Sequence, residues 1–148
     1  MVDSCSMEDA DNVEVIGRLH RALFNSDDLD AVVDAFFAPD FHSEQPAHPN
    51  RGYVGRDTMA AIWGDLYRAV PDLTSEVVSD VTDGATVWVE WHWRGHHADG
   101  SLFEMRGIAR TELNDDGLVA AQRLYGEPVE RDGPGILESE RQLREPAR

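Results

Sequence analysis

What this sequence has least of is sulfur and positive charge. Cys5 is the sole cysteine, so no internal disulfide can form, and no Cys/His zinc pattern exists. A lone thiol fits a reducing cytoplasm. Thirteen Lys and Arg stand against 29 Asp and Glu, a formal net charge of −16. Phosphate affinity rests on cationic side chains, so this balance opposes non-specific nucleic-acid binding. It equally opposes docking on anionic membranes; a large net charge instead keeps a chain soluble. No apolar run approaches the ~18 residues of a membrane span, and Met1–Asp11 is acidic where a signal peptide would be basic and then apolar. The expectation is a cytoplasmic protein with no nucleic-acid and no membrane partner.

What is present suffices for one domain with one core, at 148 residues and 41% apolar content. In Thr86–Arg94, Val87, Val89, Trp91 and Trp93 alternate with Trp88, Glu90, His92 and Arg94. A period of two sustained over that length is a strand signal. Both faces carry tryptophan. One face must meet a core or cavity, and the other is expected to meet a partner.

Residues 1–7 read as a frayed start. Val13, Ile16, Leu19, Leu23 and Phe24 recur at helical spacing over Met7–Phe24. Asn25-Ser26-Asp27 supplies turn and cap chemistry, and a second short helix carries Leu29, Val32, Val33, Phe36 and Phe37. Ala38-Pro39-Asp40 stops it. Phe41–Asn50 reads as a short strand leading into a loop, and Gly52-Tyr53-Val54-Gly55 as a turn. A third helix from Arg56 or Asp57 presents Met59, Ile62, Trp63, Leu66, Tyr67 and Val70, and ends at Pro71-Asp72. Strands are predicted at about 73–81, 85–95, 102–113 and 118–127, separated by Asp-Gly turns at Gly84, Gly100 and Gly117. Residues 130–148 read as a charged tail with at most a short helix near Ile136–Leu143. Helices followed by an antiparallel meander predict an α+β layout, with helices on one face of a sheet that curls around a pocket.

These residues resemble a known pattern. Phe37-Ala38-Pro39-Asp40-Phe41, Pro46, Gly52, Gly55, Trp63 and Pro71-Asp72-Leu73 carry its first half; Gly84, Val87, Val89, Trp91, Gly95-His96-His97, Arg106-Gly107 and Asp116-Gly117 carry its second. In order and spacing they are similar to the SnoaL-like branch of the nuclear transport factor 2-like (NTF2-like) superfamily, over residues 8–129. The resemblance implies a cone in which three N-terminal helices pack on a curved, mainly antiparallel sheet, often as a dimer. It implies a fold that hosts polyketide cyclases, ketosteroid isomerases, epoxide hydrolases, dehydratases and non-catalytic binding modules, so fold alone does not name a reaction.

Carried over residue by residue, the family's chemistry meets departures. The isomerase branch has its base carboxylate just before a proline, where this chain has Gln45 before Pro46. An amide accepts no proton near neutral pH. The isomerase's acid on the long strand corresponds to Ala109, and the hydrolase's carboxylate on the last strand to Leu124.

Other residues offer themselves. His48, in a loop at the expected pocket mouth, titrates near neutrality. Glu44 becomes the base if the strand register turns it inward, and His42 shares its face. Arg123, Tyr125 and Glu127 alternate along the last strand. Facing inward, they would polarise a carbonyl or open an epoxide; the opposite parity puts Gln122, Leu124 and Gly126 inside. Tyr53, Trp63, Tyr67, Trp91 and Trp93, with His42 and Gln45, are the expected substrate walls. His92, His96 and His97 lie on a strand and turn without a second ligand cluster, so no metal is expected. Trp88, Glu90, His92 and Arg94 are assigned to an outer face that pairs two copies.

The expectation is a small-molecule cyclase, isomerase or hydrolase acting on an apolar, polyketide-like or cyclic substrate by acid–base chemistry without a cofactor. Glu44 or His48 would accept the proton, with Arg123 and Tyr125 as polarising donors. The vacancies at Gln45, Ala109 and Leu124 favour its rival, a binding or accessory module of the same fold.

Overall fold

The computed structural model describes residues 7–145. Cys5, and all but Met7 of the start read as frayed, lie outside the described residues, as does the end of the tail. Helix α1 (Met7–Asn25) buries Leu19 and Leu23, one helical turn apart. The Asp28 carboxylate caps α2 (Leu29–Phe36) by accepting from the Ala31 amide at 3.0 Å. Val32 and Val33 are its buried stripe.

Strand β1 (Phe37–Glu44) begins earlier than the proline alone suggests. Phe37 is the first residue of the strand rather than the last of the helix, and Ala38 is held extended by the proline after it. Pro39 has no amide to donate, and the pairing of β1 with its neighbour shifts register between Phe37 and His42. A short 3-10 turn at Pro49–Arg51 and a two-residue strand β2 (Tyr53–Val54) follow, the latter unforeseen in the sequence because its pairing with β1 is the only thing that makes it a strand. Helix α3 (Arg56–Ala69) buries Met59, while Ile62 of the predicted apolar face is exposed.

Strands β3 (Thr74–Asp83), β4 (Thr86–His96), β5 (Leu102–Leu113) and β6 (Val119–Pro128) form the meander close to the predicted bounds. Gly84, Gly100 and Gly117 hold the positive φ that their hairpin turns need. The six strands lie in the order β2-β1-β6-β5-β4-β3, with β1 and β6 parallel and the other neighbours antiparallel. Helices α1, α2 and α3 cover one face. Leu19, Leu23, Val32, Val33, Phe37, Phe41, Met59, Leu113 and Val119 are the buried core between them. A fourth helix, α4 (Ile136–Arg144), lies in the tail. No helix among the described residues is long and apolar enough to cross a membrane.

On β4 the alternation holds as read: Val87, Val89 and Trp91 are buried and Trp88, Glu90 and Arg94 exposed. His92 is the exception. It points outward yet is only 5% exposed, because Glu104 of β5 and Arg131 beyond β6 close over it. Its assignment to the exposed outer face is therefore corrected.

Candidate functional site

The inner face of the sheet carries the aromatic residues. Trp91 and Trp93, two apart on β4, stack with centroids 4.2 Å apart and planes 23° from parallel. Trp63 of α3 meets Trp93 edge-on at 5.3 Å and Tyr67 at 5.9 Å. Phe24 of α1 completes the cluster, 5.5 Å from Trp63 and 6.3 Å from Trp93. Four of the predicted wall residues, Trp63, Tyr67, Trp91 and Trp93, thus meet, but they pack ring against ring. The Tyr67 hydroxyl donates to the Leu23 carbonyl, one of the four at the end of α1 that lack a helical partner. Burial pushes this phenol up to about 12, so it stays protonated.

Pairing register settles the parity of β6. Ala109 stands opposite Leu124 and Thr111 opposite Gln122, whose side-chain amide donates to the Thr111 hydroxyl at 3.3 Å. Gln122, Leu124 and Gly126 therefore face the helices, and Arg123, Tyr125 and Glu127 face outward. On β1 the buried Ser43 faces inward, while His42 and Glu44 are exposed. The one-residue slip that would have turned Glu44 into the cone does not occur.

Outward, the sequence's four proton-transfer candidates come together. The parallel register puts Glu44 beside Arg123, whose Nε donates to the carboxylate at 3.1 Å. Four residues further along each segment, His48 Nε2 lies 2.9 Å from Glu127 Oε1. Tyr125 stands between Arg123 and Glu127 on the same face, 42% exposed. The loop is fixed by its own backbone: the His48 amide donates to Gln45 at 2.8 Å and the His48 carbonyl accepts from Arg51 at 2.9 Å. A carboxylate only accepts, so Nε2 of His48 carries the proton shared with Glu127, and neutral His48 keeps Nδ1 as a base.

Beside these pairs lies a groove of about 530 Å³, bordered by His42, Glu44, Gln45, Tyr53 and Arg123 and by Pro46 and Pro49 of the loop. Burial raises the pKa of the Tyr53 hydroxyl, with Ser43 beside it pulling the other way. Polar groove and aromatic cluster occupy different places: Glu44 and Arg123 lie on the outer face, and Trp63, Tyr67, Trp91 and Trp93 on the inner.

The three histidines near the β4–β5 turn have separate partners. His92 Nε2 donates to Glu104 at 2.9 Å, His96 Nδ1 to Asp72 at 2.7 Å, and His97 packs edge-on against Phe103 at 5.7 Å. Hydrogen bonds from His96 hold the Asp72 carboxyl below its usual range. Among the described residues, no group of three or more His, Cys, Asp or Glu side chains is arranged to hold a metal ion.

Sequence reading missed three residues. Arg131 Nη2 donates to both oxygens of Glu104, at 2.5 and 2.7 Å, and this pair covers His92; no local pattern joins residues so far apart. His20 is the third. It sits on the inner stripe of α1, four residues after Ile16 and four before Phe24, and that spacing was the available signal.

Comparison with known proteins agrees with this architecture. The sequence profile of the SnoaL-like domain family matches residues 16–122. A candidate SnoaL-like polyketide cyclase from Jannaschia sp. CCS1 superposes with a TM-score of 0.73 at 20% identity, over 96% of this chain and 97% of that one. The epoxide hydrolase/cyclase-like enzyme SalBIII, of pyran ring formation in polyether salinomycin, gives 0.70 at 17% identity, over 82% and 95%. IdmH, a candidate polyketide cyclase from Streptomyces antibioticus, gives 0.66 at 21%, over 78% and 91%. At these identities the superpositions establish the NTF2-like cone and nothing finer. No curated protein matches the chain.

Proposed function

The chain belongs to the SnoaL-like domain family, and from that premise we propose that it is a cofactor-independent enzyme of cyclase, isomerase or hydrolase type. Its substrate is an apolar, polyketide-like or cyclic small molecule held in the groove between β1, β2 and β6. The observation that carries this reading is the Glu44–Arg123 pair in the wall of that groove, with the His48–Glu127 pair four residues further along the same two segments. His48 is the better proton acceptor, because Glu127 fixes its tautomer and stabilises the imidazolium that forms. Glu44 is tied to Arg123, whose Nε donates to its Oε2 and so occupies that oxygen. Arg123 and Tyr125 supply donors to a developing oxyanion.

The test is turnover of epoxide and ketone substrates by the wild type, His48→Gln and Glu127→Gln. A general base contributes about 10²–10⁴-fold, so His48→Gln should lose at least about a hundredfold in kcat with little change in KM. Unchanged turnover in His48→Gln overturns the assignment.

One observation favours the second reading, a binding module: Gln45, Ala109 and Leu124 leave the family's carboxylate positions without an acid. A ligand that binds the wild type tightly and is never converted would support it.

The partner expected for the outer sheet face is a second copy. Trp88 is 38% exposed beneath the Arg110 guanidinium, which lies 5.7 Å from its ring centroid, and Ile108 is exposed nearby. The β3–β4 half that carries Trp88, Glu90 and Arg94 lies at the opposite edge of the sheet from the groove, so pairing there leaves the groove open.

A further inference from the structure

Gln45 lines the groove at the position where the isomerase branch has its base carboxylate. Its amide has an accepting end and a donating end. Arg51, in the short turn of the same loop, donates from Nη1 to Oε1 of Gln45 at 3.3 Å. A guanidinium carries only donors, so the amide oxygen is the end that faces it. Arg51 itself does not line the groove. The oxygen is thus held away from the groove, and Nε2 with its two protons is left to it. Tyr53 adds a second donor, because it pairs with Ser43 across β1 and β2 and lines the same groove. Burial raises the pKa of its phenol, so the proton stays on at neutral pH. The Ser43 hydroxyl lowers it, as a donor to the phenol oxygen does, which leaves the phenol's own proton for a ligand.

We propose that Gln45 Nε2 and the Tyr53 hydroxyl together receive one neutral carbonyl oxygen, so that the groove selects a cyclic ketone or lactone, and that Arg51 is the positioning residue that sets the amide. A carbonyl oxygen has two lone pairs and matches two donors. A hydrocarbon of the same shape would leave both donors buried and unpaired. A carboxylate would meet the same donors, but its charge would stand against Glu44, of which Arg123 Nε takes only Oε2. Pro46, Pro49 and Val54 give the remainder of the ring system an apolar wall. The groove's volume of about 530 Å³ suits two fused rings. This assignment rests on the groove being the ligand site and on no step of the reaction there.

The experiment is a chemical-shift titration of backbone amides with 2-tetralone, with tetralin, which lacks the oxygen, and with 2-tetralol, whose hydroxyl both donates and accepts. Wild type should bind 2-tetralone about 10–100-fold more tightly than tetralin, the range of two neutral hydrogen bonds, with shifts in residues 43–54. Gln45→Leu and Tyr53→Phe should each lower that ratio about 3–10-fold. Arg51→Glu tests the orientation. A carboxylate only accepts, so it takes Nε2 and turns Oε1 to the groove. The ketone should then lose its preference over tetralin about 3–10-fold, while 2-tetralol, which can donate to Oε1, keeps its affinity and shows the groove intact. Arg51→Lys, which also only donates, should keep the wild-type ratio. A ratio near one in wild type, or an unchanged ratio in Arg51→Glu, would overturn the assignment and leave the groove as the ligand site. An equal fall of ketone and alcohol in Arg51→Glu would mean that Arg51 only braces the loop, and would overturn its positioning role. Absence of shifts in residues 43–54 with all three ligands at millimolar concentration would overturn the assignment and the groove together.

Discussion

Trp91 of β4 reaches across β5 to lie against Gly126 of β6: a Cβ at Gly126 would sit 2.6 Å from Cη2 of the indole. Gly107, on the strand between, is filled in the same way, 2.6 Å from Cζ2. The indole thus occupies the space that two side chains would have taken. Gly126→Ala should cost about 1–3 kcal/mol, the usual penalty of overpacking. The double variant Gly126→Ala/Trp91→Phe should cost less than the two single changes added together, since the smaller ring gives the methyl room. Urea unfolding of the four proteins checks this, and strict additivity would mean the indole moves aside freely.

That contact also explains what the sequence could and could not tell. The parity of β4 was legible because Val87, Val89 and Trp91 contrast with Glu90 and Arg94. On β6 both sets are mixed: Gln122, Leu124 and Gly126 read no more apolar than Arg123, Tyr125 and Glu127. The side Trp91 occupies makes the decision, and it comes from another strand. His92 failed for a related reason. Alternation tells which way a side chain points but not what covers it, and the cover is Arg131, in a stretch read as tail. The parallel pairing of β1 with β6 joins residues 79 apart, and it alone brings Glu44 to Arg123 and His48 to Glu127.

Tyr67 ties α3 to the end of α1 through the Leu23 carbonyl. Tyr67→Phe keeps the ring packing and leaves that carbonyl unpaired. The expected loss is about 1 kcal/mol, read as a lower urea midpoint with an unchanged m-value. The phenol also predicts behaviour in alkali. Its native pKa of about 12 lies above the ordinary 10.0, so the unfolded chain gives up the proton first. Stability should fall as pH rises from about 10 to about 12, and Tyr67→Phe should flatten that part of the fall.

If two copies pair through the outer sheet face, Trp88→Glu should break the pair. It puts a carboxylate on the exposed apolar surface and adds to a chain already at −16. In sedimentation velocity the wild type should run as a dimer and Trp88→Glu as a monomer with an unchanged circular dichroism spectrum. A monomeric wild type at about 100 μM, well above the range of specific dimers, would remove the outer face as a pairing surface.

Glu104 is held ionised by Arg131 first and His92 second, which take its pKa from the ordinary 4.5 to about 2 despite the opposing cost of desolvation. The native state therefore takes up this proton less readily than the unfolded chain. Its contribution to stability is complete above pH 4.5 and drains away as the pH falls towards about 2. Arg131→Gln removes the larger cause and leaves the smaller. The urea midpoint of Arg131→Gln should lie below wild type at neutral pH, and the gap should narrow steadily from pH 4.5 towards about 2 as Glu104 protonates in both. A gap that stayed constant over that range would mean that Arg131 holds the segment after β6 by packing alone. Because the Val129 amide also donates to the Glu104 carbonyl at 3.0 Å, the segment has a backbone tie that neither acid nor the substitution removes. Hydrogen exchange should accordingly show the Val129 amide still protected in Arg131→Gln while His92 becomes accessible to solvent.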